Sequence, residues 1–465
     1  MAQTSLKTLA LLGSLAIGSA SVALAQDSGP IIDKLVAKGL LTDQEGEDLR
    51  AEMLRDFGTT SPGKLAISSS VTKLKISGDA RVRYQFDNEQ AYPEGAAGDK
   101  DRNRYRYRVR LGLEAELGPK WTAATRLETA SSATSTNADL GGNSTVANSG
   151  AATTSNADNF DKNGDTVFFG QAYLNYKDTG VLDSDSIDVR VGKLPHKFFN
   201  PGVNGFWIDS DINFEGAAEE IVYSEIGLKD SKLSTRAGQF ILNNNAANAG
   251  VTSGATTNTT VKPSLLLMGQ VEYATKKWKV APTIVAFAAP AEHDKSTAGA
   301  AAQVSDTGVY NDLATVLVPF EYKLNLGAKP LALYATYGYN FSGEQRAKRL
   351  ANSSTVEKDA MIYNAGVRYG ENKLAGDYQL VAEYRHIGNG SYSSLLLDSD
   401  FNGGFLNGEG VILSGSYSFT SAVWATVTYF NSFNIESNRA AGGSTNRGNG
   451  FGAAQVLQVD LSAKF

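Results

Sequence analysis

From Leu74 onward, hydrophobic and polar residues alternate with a period of two. Leu74, Ile76, Gly78, Ala80, Val82, Tyr84 and Phe86 fall on one face, and Lys75, Ser77, Asp79, Arg81, Arg83 and Gln85 on the other. A second run sets Tyr105, Tyr107, Val109, Leu111, Leu113, Ala115 and Leu117 against Arg106, Arg108, Arg110, Gly112, Glu114 and Glu116. Side chains alternate across a strand, so both runs predict long strands with one apolar and one polar side. Gly118-Pro119-Lys120 is a short turn into a third run, residues 121–129, whose polar side carries Arg126 and Glu128. Brief turns recur near 178–185, 275–277, 326–329, 371–377 and 420–421. Long polar stretches lie at 130–164, 243–262, 290–307, 342–358, 389–409 and 432–452. Short connections at one rim and long ones at the other are the layout of a transmembrane barrel.

Later strand-like runs lie near Ser264, Val280, Leu313, Leu331, Met361, Tyr378, Val411, Ala422 and Gln455, for about sixteen in all. Two segments fit poorly. Residues 264–268 and 283–287 are almost continuously apolar, and Pro282 and Pro319 lack the N–H a ladder needs, so both prolines are expected at strand ends or bulges. The final run alternates Leu457, Val459, Leu461, Ala463 and Phe465 with Gln458, Asp460, Ser462 and Lys464. As the edge of a soluble sandwich it would leave a long unprotected ladder.

Ahead of the strands the period is different. Lys7, an apolar stretch over 9–22 and Ala23-Leu24-Ala25 read as a secretory signal peptide cleaved before Gln26. As a membrane anchor the stretch is too short and is broken by Gly13, Ser14, Gly18 and Ser19. Residues 30–57 carry the helical pattern: Leu49, Met53 and Phe57 recur at i, i+4 and i+8, and Thr42-Asp43-Gln44-Glu45 is a capping box. This short periplasmic segment packs on another copy or on the barrel rim, or is a marginal helix on a tether; both readings stand. The expected organisation is a signal peptide at 1–25, a periplasmic helical segment and tether at 26–64, and an outer-membrane barrel at 65–465. The fold class is all-β, a transmembrane antiparallel β-barrel of about sixteen strands.

Composition narrows the chemistry. Mean hydropathy is −0.24, and past the first segment no run of 18 apolar residues occurs, which excludes a helical membrane protein. It does not exclude a barrel, whose strands meet lipid on one face only. With no cysteine, disulfide staples and thiolate chemistry are out. A net charge of −6, one unit more negative once Lys7 is removed, argues against a nucleic-acid partner.

Several segments also resemble a known family. The prelude Leu35-Val36-Ala37-Lys38-Gly39-Leu40-Leu41-Thr42, the run Ile76-Ser77-Gly78-Asp79-Ala80-Arg81-Val82-Arg83-Tyr84, and Val191-Gly192-Lys193-Leu194-Pro195 followed by Phe198-Phe199 are similar to the putative-porin family of Gram-negative outer membranes. The resemblance spans essentially the whole mature chain and implies a diffusion channel with no fixed substrate. It also suggests a homotrimer, and makes Phe465 a barrel-assembly signal for the outer-membrane insertion machinery. The chain departs from general trimeric porins in lacking their Pro-Glu-Phe-Gly-Gly constriction pattern and in having the helical prelude.

In lipid all backbone polar groups must be paired within the protein, so the strands close and their polar faces turn to a lumen. About sixteen strands leave that lumen wide enough for water. Arg81, Arg83, Arg106, Arg108, Arg110 and Arg126 then form a cationic wall that needs counter-charges, with Asp79, Glu114, Glu116 and Glu128 nearby in sequence. Where the third long loop should fall, residues 194–217 hold Asp209, Asp211 and Glu215, with Glu219 and Glu220 just behind. An inward fold of that loop would set carboxylates against arginines and define pore size and ion preference. Alternatively, the arginines only solvate the wall and the loop stays outside.

Tyr84, Phe86, Tyr105, Tyr107, Trp121 and Trp424 fit interfacial aromatic girdles or ordinary strand positions. His196, His293 and His386 are far apart with no ligand spacing. The stretch 159–165 is a poor calcium loop, because its first position is Asn159 and its twelfth is Gly170. No metal, cofactor or catalytic residue is expected. The leading reading is a porin whose partners are outer-membrane lipid and small hydrophilic solutes. Its rivals are a structural or adhesive barrel with a plugged lumen and an outer-membrane hydrolase.

Overall fold

The computed structural model describes residues 29–60, 68–90, 100–130, 136–140, 166–243, 264–288, 313–350, 358–435 and 452–465. The signal-peptide segment and the weak calcium-loop stretch at 159–165 lie outside the described residues. The chain divides into two compact units, Met1–Ser68 and Ser69–Phe465.

In the first unit, α1 (Gly29–Ala37) and α2 (Asp43–Thr60) form a hairpin around Gly39, whose φ is +68°. The capping box forms: the Glu45 amide donates to Thr42 Oγ1 at 3.2 Å, and the Thr42 amide to Glu45 Oε2 at 2.8 Å. The two helices meet at Gly46. A Cβ at Gly46 would lie 2.8 Å from a Val36 methyl, and Ile32 is buried there, while Leu49 is 37% exposed. Helices approach closest where one lacks a side chain, and Gly46 supplies that position.

The second unit is a closed antiparallel barrel of sixteen strands. In chain order these are β1 (Lys73–Gln90), β2 (Lys100–Glu116), β3 (Trp121–Ala130), β4 (Thr166–Asp178), β5 (Ser186–Pro195), β6 (Asn213–Ser224), β7 (Lys232–Asn243) and β8 (Ser264–Ala274). They continue as β9 in two pieces (Trp278–Val280 and Thr283–Ala288), β10 (Ala314–Leu326), β11 (Lys329–Asn340), β12 (Met361–Gly370), β13 (Tyr378–Ile387), β14 (Gly408–Ser418), β15 (Val423–Asn434) and β16 (Ala453–Lys464). A helical turn, α3 (Gly343–Leu350), lies between β11 and β12. Each strand pairs with its neighbours in sequence, and β16 pairs with β1 from Asp79↔Lys464 to Gln90↔Ala453, which removes every edge. At the seam Gly78 and Phe465 exchange backbone hydrogen bonds at 2.9 and 3.0 Å. The Phe465 ring covers the glycine so closely that a Cβ would lie 2.5 Å from it.

The alternation is inside out relative to a soluble protein. Arg83, Gln85, Asp87, Arg106, Arg108 and Gln458 are buried toward the interior, while Ile76, Val82, Tyr105, Leu113, Val459 and Leu461 lie exposed on the outer surface. A belt of exposed large apolar side chains is what a lipid environment requires of a barrel's outer face. Trp424 is not part of an outer girdle: it shares its register row with Ser462 and Ser418 on the inner side, because strand parity and not residue type decides direction.

Both irregular segments have a cause. In 264–268 the inner positions Leu266 and Met268 are buried in an apolar cluster inside the barrel while Leu267 stays outside, so both faces are hydrophobic. Val285 repeats this on β9. Pro282 lies in the gap between the two pieces of β9, and Pro319 stands opposite that gap within β10, its carbonyl accepting from the Ala281 amide at 2.9 Å.

Candidate functional site

Residues 196–212, the third loop, run through the barrel interior. The loop is built on Asn200, whose Oδ1 accepts from the amides of Phe206 and Trp207 at 2.8 and 3.0 Å and whose Nδ2 donates to the Ile208 carbonyl at 2.5 Å. The turn needs two left-handed residues, Asn204 at φ +54° and Gly205 at φ +82°. A Cβ at Gly205 would lie 2.2 Å from the Ile208 carbonyl oxygen, so only glycine fits. The folded loop presents Phe206, Trp207 and Ile208, all at 0% exposure, together with its own Phe198, to a cluster with Phe240, Leu266, Met268, Leu317, Ile362, Ile412, Phe430 and Val456 from the inner wall.

Polar contacts tie the loop to separate parts of that wall. The Phe199 amide donates to Gln270 of β8 at 2.7 Å, and Asn364 of β12 donates to the Pro201 carbonyl at 3.1 Å. On β13, Glu383 accepts from the Val203 amide at 2.7 Å, while Arg385, itself bound to Glu383, donates to the Val203 and Gly205 carbonyls. On the opposite side Asp211 reaches β2, its carboxylate 3.0 Å from Arg108 and 3.3 Å from Arg110.

The arginines face one another across β1 and β2, Arg81 opposite Arg108 and Arg83 opposite Arg106. Such like-charge rows persist only with interleaved carboxylates. Arg110 binds Asp79 at 2.7 Å; Arg83 binds Asp460 of β16 through Nε and NH2 at 2.7 and 2.8 Å; Arg106 binds Asp139 at 2.9 Å. Asp87 holds Arg102 and Arg104 at 3.1 and 2.8 Å, and Glu128 holds Arg126 at 2.6 Å. Of the four counter-charges suggested by sequence, Asp79 and Glu128 take this role, whereas Glu116 pairs with Lys73 at 3.0 Å. Asp460, Asp139 and Asp87 were missed. Asp460 was visible as a polar-face residue of the last run, but its proximity to Arg83 depends on closure.

The expected acidic set disperses. Asp211 alone among the five meets the arginine wall. Asp209 sits one turn back, its Oδ1 accepting from the Asp211 amide at 2.9 Å. Removed from water and set near the Asp211 and Asp400 carboxylates, its carboxyl is pushed up to about 7. Strand β6 begins at Asn213, so Glu215, Glu219 and Glu220 belong to the wall and not to the loop. Glu220 faces inward and binds Lys197 and Arg236, both at 2.9 Å. Glu215 pairs with Lys193 at 3.3 Å, and Glu219 is in register with Val189 and Ala237, the parity opposite to Glu220. His386 stands between two carboxylates, Nε2 2.6 Å from Asp359 and Nδ1 3.2 Å from Glu409, a grouping that sequence spacing could not reveal. No group of three such side chains is placed to hold a metal ion among the described residues.

The sequence profile described as putative porin matches residues 47–282 and 283–465. No curated protein matches the chain in sequence. Among solved structures, it is similar to Salmonella typhi OmpF in complex with daunomycin, at 12% identity and TM-score 0.45, covering 86% of this chain and 99% of that one. It is also similar to an OmpT loop-deletion mutant from Vibrio cholerae, at 9% identity, TM-score 0.39, 84% and 99% coverage. A Rh. blastica porin mutant gives 12% identity, TM-score 0.41, and 84% and 100% coverage. By its sequence match over the whole barrel, the chain belongs to the putative-porin family.

Proposed function

We propose that the barrel is a passive diffusion channel of the outer membrane for small hydrophilic solutes and ions, with its narrowest zone beside the third loop, where Asp211 meets the arginine wall. The observation that carries this reading is Asp211 of the inward loop, 3.0 and 3.3 Å from Arg108 and Arg110. Exposure supports where the passage runs. The side chains of Asp211, Asp79, Arg126 and Arg110 keep 33%, 25%, 22% and 18% of their surface, while the loop's other side is sealed by Phe206, Trp207 and Ile208 at 0%. Fixed charges of both signs at a constriction set ion preference. The chain acts without cofactor or catalysis, is exported by its cleaved signal peptide and assembles as a homotrimer, with Phe465 read by the insertion machinery.

A plugged structural barrel is the competing reading, and the apolar cluster inside the wall favours it. Planar-bilayer recording of the refolded full chain separates the two. Stable open steps with a reversal potential in a salt gradient support the channel; their absence in a folded barrel supports the plug.

A further inference from the structure

The third loop does not hold its place alone. Residues 388–407, the seventh loop, also turn inward, with Tyr392, Leu396, Leu397, Phe401 and Leu406 in the same apolar cluster. The loop is pinned to the wall and to α3: Thr315 donates to the Ser391 carbonyl at 2.9 Å, Asn340 to the Gly390 carbonyl at 2.8 Å, and Arg346 to the Tyr392 carbonyl at 2.6 Å. It then clasps the third loop. Asn204 Nδ2 donates to Asp398 at 3.2 Å and to Asp400 at 3.3 Å, and the Asp209 amide to the Leu396 carbonyl at 2.7 Å. The Asp400 amide in turn donates to Asp398 Oδ1 at 3.0 Å. On its other side the Asp400 carboxylate lies 3.5 Å from Arg83 and keeps 19% of its surface.

We propose that the seventh loop is a second constriction element and that Asp400 is a selectivity-determining residue alongside Asp211. This rests on the diffusion-channel reading. Asp211 confronts β2 through Arg108 and Arg110, and Asp400 confronts β1 through Arg83, so an ion moving along the arginine row meets two loop carboxylates. Arg83 holds Asp460 through two bonds that do not involve Asp400, so it should keep that pairing when Asp400 is neutralised. The charge lost is therefore felt by the passage, with little change in the wall. The same substitution at Asp211 should act in the same direction.

The test is single-channel conductance and reversal potential of the full refolded chain in a potassium chloride gradient, for wild type, Asp400→Asn and Asp211→Asn. Each variant should raise the anion-to-cation permeability ratio by a factor on the order of two, and Asp400→Glu should restore the wild-type ratio. Asn204→Ala removes the side-chain part of the clasp but keeps both carboxylates, so its shift should be well below that of Asp400→Asn. A shift there as large as that of Asp400→Asn would assign the effect to loop position and overturn the role of Asp400. If Asp211→Asn moves the ratio and Asp400→Asn does not, the seventh-loop inference fails while the channel stands. If the wild type shows no open steps, both fall; if it opens and neither variant moves the ratio, the selectivity role of both loop carboxylates fails while the channel stands.

Discussion

The two sides of the lumen are built from different physics. On the side of β1 to β3 and β16, the inner wall is a lattice of arginines and carboxylates in which most groups keep some contact with water. On the side of β7 to β15, the wall turns apolar and buries loop residues as completely as a soluble core does. The loops are therefore anchored by hydrophobic packing on one side and aimed by electrostatics on the other. Position and selectivity are thus separable, and each can be attacked without the other.

The largest effect should come from the anchoring side. Trp207→Ala removes a fully buried side chain and should cost about 3–5 kcal/mol in urea unfolding of the detergent-solubilised barrel, with larger and noisier conductance steps as the third loop loosens. Attacking the aiming side should change selectivity more than stability. Replacing Arg106, Arg108 and Arg110 together by Gln should move the reversal potential toward cation preference; an unchanged value would mean the wall does not sort ions.

A smaller effect should come from pH where the two sides meet. Burial raises the Asp398 carboxyl well above the ordinary range, with neighbouring Asp400 and Asp209 adding to the shift, and it lifts Asp209 to about 7. An unfolded carboxyl releases its proton near pH 4, so the folded loops bind more protons between about pH 4 and 7. Stability from these contacts is fully present below that range and falls as pH rises through it. Open-channel noise should accordingly grow from pH 5 to pH 8, and Asp209→Asn should flatten the trend. The smallest effect belongs to the rim: Lys73 and Glu116 pair at 66% and 39% exposure, and Lys73→Ala should change the unfolding free energy by no more than about 0.5 kcal/mol.

How much of this was legible in the sequence follows the same divide. Strands, short turns and long loops came from local periodicity, and so did the direction of Arg81 to Arg110, because strand parity is a nearest-neighbour property. Asp211 opposite the wall was legible as an acidic loop at the right place in the count. Asp460, Asp139 and Asp400 were not: each meets its arginine only through barrel closure or a loop returning from far along the chain. Glu215, Glu219 and Glu220 fall outside the loop because it ends at residue 212 and not near 217, a boundary that local polarity does not mark. The apolar runs at 264–268 and 283–287 looked like failures of the pattern, yet they mark the seat of the loops.

A loop fastened to β2, β8, β12 and β13 at once is also a mechanical tie. A thin-walled cylinder without internal bracing flattens under sideways load, whereas one with a cross-member keeps its section. The aperture of this barrel should consequently be indifferent to bilayer thickness and lateral tension, and its conductance should be the same in short-chain and long-chain lipids.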